Sequence, residues 1–278
     1  MVKFAAFDIE IAKVLPETCP ECGKVCHEGR LAGVPDHCHV ACSCGYRDQA
    51  SAFKSQDWEA HRPLGISCAA VATPGAPDPW WYWSWTNRAS TNTPATIVKY
   101  LQMLVGSEYT LVTWNGGAFD FDILAEESGM RAECAELARQ HIDLMAIVVA
   151  LRGHYLGLDT AAKGMAIEGK RKVVTLHDGT TMDGMNGALA PVLWQQGEYD
   201  AVLDYLREDV RVTLALAYEI ADRGFVSWTA RSGRRNTIRI PELLTVDQCL
   251  ERWRDCPPDN GWMTDPPDLE QMLAWMGQ

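Results

Sequence analysis

Five side chains in three places have the types and spacing to hold a divalent cation and order a water beside it. The first place is Phe7-Asp8-Ile9-Glu10, which ends an apolar run from Val2. On a strand, residues i and i+2 project to one side, so Asp8 and Glu10 converge. Two adjoining carboxylates repel unless a cation lies between them. The second is Asn115-Gly116-Gly117-Ala118-Phe119-Asp120, which reads as a strand end passing into a helix. Its glycines permit close backbone approach, and Asp120 suits a positive helix N-terminus, with Asp122 as its rival. The third is Tyr205-Leu206-Arg207-Glu208-Asp209, where Tyr205 and Asp209 stand i and i+4 on one helix face. Taken singly, each has an ordinary reading: a solvated strand end, a helix-start acid, an exposed charged face.

A second group of residues suits a softer metal. Six of the ten cysteines, Cys19, Cys22, Cys26, Cys38, Cys42 and Cys44, lie close together with His27, His37 and His39. Cys19-Pro-Glu-Cys22-Gly is similar to one zinc-ribbon knuckle, and Cys42-Ser-Cys44-Gly to a second with tighter spacing. Structural Zn²⁺ on Cys19, Cys22, Cys42 and Cys44 is the expectation. Cys26, His27, Cys38 and His39 are alternative ligands, and a metal-free cysteine-rich loop is the plain alternative. Nothing directs export, so a disulfide cluster fits less well. Cys68, Cys134, Cys249 and Cys256 are scattered, as buried or incidental thiols are.

The elements that must position these groups alternate between strand and helix. Apolar runs predict strands at Val2–Ile9, Leu64–Thr73, Trp80–Trp85 and Thr110–Trp114. The third would set Trp81, Trp83 and Trp85 on one face, read as core in preference to a base-stacking platform. Thr93-Pro94 opens a helix to about Val105, with proline at its first turn. Further helices are expected from about Phe119 to Ser128, Leu158 to Met165, Ala188 to Gln196 and Tyr199 to Arg223. His141–Val149 reads as a strand passing into a helix, and Lys172–Met182 as a hairpin turning at Asp178-Gly179. In the long helix, Val202, Leu206, Val210, Leu214 and Ala217 form the apolar stripe. After Gly224 the periodicity weakens into a tail rich in Arg, Pro and Trp. The reading is an α/β domain over residues 1–15 and 63–224, an inserted zinc-ribbon-like module over 16–62, and an extension over 225–278.

Composition bounds the function classes. The chain has 278 residues, 47% of them hydrophobic and 22% charged, and a net charge of −12. That excludes a disordered chain, a collagen-like repeat and a disulfide-stapled miniprotein. The longest apolar run, Leu144–Leu151, is far short of the ~18–20 residues of a membrane span. The first residues lack the apolar core and cleavage site of a signal peptide. A soluble, cytoplasmic protein without a membrane partner is therefore expected. An evenly spread charge of this sign would disfavour a polyanionic partner. The spread is uneven. No acid lies between Gly224 and Pro241, where Arg231, Arg234, Arg235 and Arg239 accompany Trp228. Lys170, Arg171 and Lys172 form a second basic group. The arginines suit strand contact beside a stacking ring, or ion pairs with the acidic tail (Asp255, Asp259, Asp265, Asp268, Glu270).

The order Asp-x-Glu, then Asn-x3-Phe-Asp, then Tyr-x3-Asp resembles the DEDD 3′–5′ exonuclease superfamily. It resembles the tyrosine branch, which includes polymerase proofreading domains and ribonuclease D; the histidine branch would need His at position 204, where this chain has Asp204. The resemblance covers about residues 2–12 and 64–224. Leu158-Asp159-Thr160-Ala161-Ala162-Lys163 with Gly169-Lys170 looks like the segment preceding the third motif. His141-Ile142-Asp143-Leu144-Met145 looks similar to a strand of B-family proofreading domains. The resemblance implies a ribonuclease H-like mixed sheet flanked by helices, and two-metal-ion phosphodiester hydrolysis with Mg²⁺ or Mn²⁺. It also implies roles: Asp8 bridging both ions, Glu10 and Asp209 completing the site of the water-bearing ion, Asp120 holding the second. Tyr205 would orient the water, since a phenol of pKa ~10 is a poor bulk base. Asn115, Arg231, Arg234 and Arg235 would contact the strand. Single-stranded DNA is preferred over RNA as substrate because the motifs look closest to proofreading domains. Too short to add a polymerase, the chain would act alone or with a polymerase or repair factor in trans. RNA trimming, and a non-catalytic zinc-containing nucleic-acid binder, are the alternatives.

Overall fold

β1 (Lys3–Ile11) is apolar apart from Lys3, Asp8 and Glu10 and buried along most of its length, as expected of a strand covered on both faces. In the computed structural model it lies at the centre of a five-stranded sheet of order β5-β4-β1-β6-β7. The structure describes residues 2–15, 17–18, 25–26, 58–84, 93–169, 173–230, 232–261, 263 and 266–277. β4 (Ile66–Ala72) is wholly buried and pairs antiparallel with the edge strand β5 (Trp80–Trp83). On the other side β1 runs parallel to β6 (Tyr109–Thr113), with Ala5 opposite Leu111 and Ala6 opposite Val112. β6 in turn runs parallel to the two-residue β7 (Ile142–Asp143), with Thr113 opposite Asp143.

Helices follow the strands closely. α1 (Pro94–Gly106) starts on Pro94 and buries Ile97, Val98, Leu101 and Leu104, one face at helical spacing. α2 (Asp120–Ser128) follows β6, and α3 (Arg131–Gln140) follows α2 after Gly129, whose φ of 68° fits a left-handed helix end. α4 (Leu144–Arg152) starts where β7 stops, so His141–Val149 is a strand passing into a helix, as expected. Its residues Leu144 to Ala150 are all buried, which erases the period that would have separated helix from strand. α5 (Leu158–Gly164) ends on a glycine that no other residue could replace without movement. A Cβ there would stand 1.8 Å from the carbonyl oxygen of Ser227.

The chain forms two compact units. One comprises residues 1–9, 68–170 and 206–278; the other comprises 10–67 and 171–205. The division passes through β1 and through the long helix α7 (Tyr199–Arg223). The expected domain limits, at 15/63 and 224/225, follow composition and motif and fall elsewhere. The second unit holds the pair β2 (Glu17–Thr18) and β3 (Val25–Cys26), the hairpin β8 (Val174–Thr175) and β9 (Thr181–Met182), and α6 (Ala190–Gln195). The hairpin turns at Asp178-Gly179 as expected, with the Asp178 carboxylate accepting from the Thr180 N–H and hydroxyl. Those bonds lower the Asp178 pKa below the usual carboxylate range. Buried Glu198 accepts from the His177 N–H at 2.7 Å and pairs with its imidazole.

Two expectations are corrected. Residues beyond Gly224 are not a loose tail: β10 (Phe225–Thr229) and β11 (Arg235–Arg239) form an antiparallel hairpin, followed by α8 (Val246–Asp255) and α9 (Leu269–Met272). Thr245 and Gln248 close a capping box at the start of α8. On β5, Tyr82 is the inward residue at 3% exposure, whereas Trp83 is 40% exposed. A period of two buries only one set, and Trp81 and Trp83 are on the other; Trp85 lies outside the described residues. The Arg207 guanidinium lies 5.4 Å from the Trp81 ring centroid. On α7 the buried apolar positions include Val202, Leu206, Val210, Leu216, Ala217 and Ile220; Leu214 is only half-buried.

Of the scattered thiols, Cys68, Cys134 and Cys249 are buried and Cys256 is exposed. Burial pushes the Cys134 thiol up to about 12, against the Ser128 hydroxyl contact that lowers it. Burial, with the charge of Asp143, raises Cys249 as well. Reaction needs the thiolate. Iodoacetamide at pH 8 is therefore expected to label Cys256 and leave Cys68, Cys134 and Cys249 unmodified until denaturant is added, read by peptide mass spectrometry. No helix among the described residues is long and apolar enough to cross a membrane. Cys19, Cys22, Cys42 and Cys44 lie outside the described residues, as do His27, Cys38 and His39; of Cys26 only the backbone, on β3, is described.

Candidate active site

Asp8 sits two-thirds along β1, which runs on through Glu10 to Ile11, so both acids lie within the strand and not at its end. Asp120 is the first residue of α2 and only 3% exposed. One backbone N–H joins them: that of Ile9 donates to Asp120 Oδ1 at 2.9 Å and lies 3.1 Å from Asp8 Oδ1. Two carboxylates from elements far apart in sequence thus converge on a single donor. Asp122 is also buried, but Asp120 is the acid bonded to the Ile9 N–H. Below this pair, the rings of Phe7 and Phe121 pack with centroids 5.5 Å apart, locking the start of α2 to β1.

Asp209 is 3% exposed on α7, in the same unit as Asp8 and Asp120. Glu10, at 6% exposure, and Tyr205, also at 6%, belong to the other unit. Within α7, Tyr205 and Asp209 share a buried face while Asp204, just before Tyr205, is exposed. Among the described residues, no three His, Cys, Asp or Glu side chains are gathered to hold a metal ion as they stand. Asp8 and Asp120 are hard oxygen donors of the kind Mg²⁺ takes, and in this structure their Oδ1 atoms share the Ile9 N–H.

The loop between β6 and α2 is built by residues outside the three motifs. Asp143, at 2% exposure, accepts four backbone N–H groups. Its Oδ1 takes those of Asn115 (2.8 Å), Met145 (2.9 Å) and Ala146 (3.2 Å), and its Oδ2 takes that of Gly117 (2.9 Å). It is at once the N-cap of α4 and the clamp on the loop that leads to Asp120. Asn115 adopts φ 70°, a conformation asparagine tolerates better than most residues. Among the described residues its Oδ1 is buried without a hydrogen-bond partner. The two glycines serve packing against protein: a Cβ at Gly116 would meet Thr113 Oγ1 at 2.6 Å, and one at Gly117 would meet Asp143 Oδ2 at 3.2 Å.

A relay of neutral groups braces the same loop. His141 Nδ1–H donates to the Ala138 carbonyl at 2.6 Å, which leaves Nε2 to accept from the Thr113 hydroxyl at 2.9 Å. Thr113 Oγ1 in turn accepts from the Gly116 N–H at 3.1 Å. Trp275, near the C-terminus, donates its indole N–H to the Gly117 carbonyl at 2.8 Å. Burial lowers the His141 pKa, against the opposing pulls of Asp143 and the Ala138 carbonyl. A histidine whose pKa is lower folded than unfolded takes its proton more readily when unfolded. Its stabilising share is therefore complete above about pH 6.5 and lost as pH falls below that. The melting temperature of the wild type is expected to fall more steeply between pH 6.5 and 5 than that of His141→Gln, measured by circular dichroism.

The expected strand contacts are dispersed. Arg234 Nε donates to Asn236 Oδ1 at 3.1 Å, and Arg235 Nη2 to Ser227 Oγ at 3.4 Å. Arg231 and the basic group Lys170, Arg171, Lys172 lie outside the described residues. Among the described residues the tail acids pair elsewhere: Glu270 with Arg254 at 2.6 Å, while Asp268 caps α9. Sequence reasoning missed Asp143, Thr113, His141 and Trp275. The signal for Asp143 was available as an Asp immediately before an apolar run, the ordinary N-cap pattern.

Comparisons with known proteins bear on the fold. Residues 92–221 match the family model described as the RNase H superfamily. A solved family B DNA polymerase from the hyperthermophilic archaeon Pyrobaculum calidifontis is 15% identical, with a TM-score of 0.46. The match covers 79% of this chain and 24% of the polymerase chain, so this chain spans about a quarter of that protein. No curated protein sequence matches the chain. The five-stranded mixed sheet flanked by helices, with the superfamily match running from α1 into α7, fits a ribonuclease H-like fold.

Proposed function

We propose that this chain is a divalent-metal-dependent nuclease that removes nucleotides from the 3′ end of a polynucleotide, single-stranded DNA in preference to RNA. The observation that carries the reading is the Ile9 N–H shared by the Asp8 and Asp120 carboxylates. The ribonuclease H-like fold and the three-motif order support it. When bound, Mg²⁺ or Mn²⁺ supplies a polarised phosphoryl oxygen and a water acidic enough to ionise near neutrality. Asp8 and Asp120 would hold the metal, with Asp209 from α7 and Glu10 from β1 completing the ligand set. Burial of Glu10, Asp120 and Asp209, with Asp8 half-buried, limits competing water and fixes their oxygens before substrate arrives, so less reorganisation remains for the reaction. Tyr205, one turn before Asp209 on α7, would order the attacking water through its hydroxyl, and Asn115 would contact the terminal nucleotide. The cysteine-rich segment would carry a structural Zn²⁺ on Cys19, Cys22, Cys42 and Cys44.

The test uses 3′-labelled single-stranded DNA and RNA with the full chain in Mg²⁺ or Mn²⁺, beside the same reactions in EDTA. Stepwise loss of 3′ label that requires metal, and is faster on DNA, is the expected result. Label lost at the 5′ end first, or cleavage unaffected by EDTA, overturns the reading.

A further inference from the structure

A cavity of about 460 Å³ lies between the C-terminal end of α4 and the β10–β11 hairpin. Arg152, His154, Trp228, Arg234 and Asn236 line it, with Asp259 as its carboxylate. All belong to the first unit, and neither Asp8 nor Asp120 is among the lining residues. Asp143, which clamps the loop leading to Asp120, caps one end of α4; Arg152 closes the other, about 12 Å along the axis.

The lining combines two features that an overall charge of −12 makes unexpected. Its arginines are held by neutral acceptors: Arg152 Nη2 donates to the Thr237 carbonyl at 3.1 Å, and Arg234 Nε to the Asn236 side-chain oxygen at 3.1 Å. Among the described residues neither guanidinium has an ion-pair partner, whereas Arg139, Arg207, Arg211, Arg223 and Arg254 all do. Each bond uses one N–H of a five-donor fork, which leaves the rest for an anion. Second, the rings of His154 and Trp228 pack edge to face 5.7 Å apart in the same wall. Trp228 is 9% exposed, its ring largely held by the protein and therefore cheap to use as a rigid surface. The wall itself is stiff, because Gly164 of α5 packs directly on the backbone of Ser227 and the Ser227 hydroxyl donates to the Gly164 carbonyl at 2.8 Å. Volume, two lining guanidiniums and an aromatic wall together match a small phosphorylated aromatic ligand.

We infer that this cavity binds a nucleotide unit, its phosphate between Arg152 and Arg234 and its base against Trp228 and His154. Asn236 and Asp259 then offer an amide and a carboxylate to the base edge or sugar hydroxyls. The unit is either a free mononucleotide or one residue of a strand, and the two sources share the chemistry. This site does not depend on the carboxylates cleaving anything, so it stands or falls apart from the nuclease reading.

Binding is measured on the full chain in EDTA by isothermal titration calorimetry. The probes are a deoxynucleoside 5′-monophosphate, the matching nucleoside, and a six-nucleotide single strand. The expected result is that the monophosphate or the strand binds, the nucleoside binds at least about tenfold more weakly, and Arg152→Gln with Arg234→Gln lowers affinity by about tenfold or more. Trp228→Phe is expected to keep most of the affinity, since the ring surface is retained. Arg152→Lys with Arg234→Lys keeps the charges and recovers part of the loss, which separates ligand contact from misfolding. Tight strand binding with no mononucleotide binding identifies the strand as the source. Affinity unchanged in the double Gln variant, or equal for nucleoside and monophosphate, overturns the proposal. Asp8→Asn leaves this binding unchanged whatever it does to cleavage.

Discussion

Asp120→Asn is expected to keep the fold and to lower metal-dependent cleavage by about a thousandfold or more. The amide oxygen of asparagine can still accept the Ile9 N–H that Asp120 Oδ1 accepts at 2.9 Å, so β1 and the start of α2 stay joined. What is lost is a negative oxygen donor, and a metal ion's contribution to phosphoryl transfer is several kcal/mol; each 1.36 kcal/mol is tenfold in rate. Asp8→Asn should fall as far, because both acids share the Ile9 N–H. Asp122→Asn supplies the contrast. Its carboxylate is also buried in the first turn of α2, but Asp120 is the acid bonded to the Ile9 N–H, so cleavage should stay within a few-fold of wild type. The measurement is initial rate on a 3′-labelled strand at saturating Mg²⁺, with melting temperature as the folding control. Wild-type rates in Asp120→Asn, or equal losses in Asp120→Asn and Asp122→Asn, would refute the assignment.

Much of the scaffold was legible because its signals are local. Pro94 at a helix start, the helix from Tyr199 to Arg223 and the Asp178-Gly179 turn each follow from spacing within a few residues. α3 was not read at all. Its segment Arg131–Gln140 buries only Cys134, Leu137 and Ala138, so its apolar stripe is too thin to stand out. α4 is buried all round, so no period marks where the strand at Ile142–Asp143 gives way to it, and only the strand-into-helix order was legible. The region beyond Gly224 lost its period because its order comes from distant partners. Val246 N–H bonds to the His141 carbonyl, Arg131 and Arg139 donate to carbonyls of Trp275 and Met276, and Trp275 reaches Gly117. No window of sequence displays such pairings.

The candidate site divides along the same line. Asp8 and Asp120 were found by motif order, and motif order says nothing about how Asp120 is held. The glycines of Asn115-Gly116-Gly117 were read as room for close backbone approach. In the structure that approach is to Thr113 and Asp143, so the loop's shape is set by protein contacts before any ligand arrives. Arg234 and Arg235 are adjacent in sequence, yet only Arg234 lines the cavity beside α4, while Arg235 reaches the Ser227 hydroxyl. Arg234 belongs to the turn and Arg235 opens β11, a difference that a cluster of arginines read as one patch ignores.

The largest loss of stability from any single change near the site is expected at Asp143. Its carboxylate collects four backbone N–H groups in a setting 2% exposed to solvent. Asp143→Ala removes the cap of α4, worth about 1 kcal/mol, and leaves the Asn115 and Gly117 donors buried and unsatisfied at about 1–3 kcal/mol each. A total of roughly 3–7 kcal/mol, at about 2–4 °C per kcal/mol for a chain of this size, lowers the melting temperature by about 6 °C or more. Asp143→Asn separates the two jobs. Asparagine caps a helix about as well as aspartate, and its oxygen can keep the Asn115, Met145 and Ala146 bonds. Its NH₂ then faces the Gly117 N–H, donor against donor, so the loop alone is disturbed. Asp143→Asn should therefore lose about half as much stability as Asp143→Ala. It should also lower the turnover rate on a 3′-labelled strand by about a hundredfold with KM little changed, because a misplacement of about 1 Å at a reacting group costs that much. Thermal melts and Michaelis–Menten kinetics on the two variants decide it. Equal stability losses would mean that the cap and the clamp are not separable. Full turnover in Asp143→Asn would mean that the loop does not position Asp120.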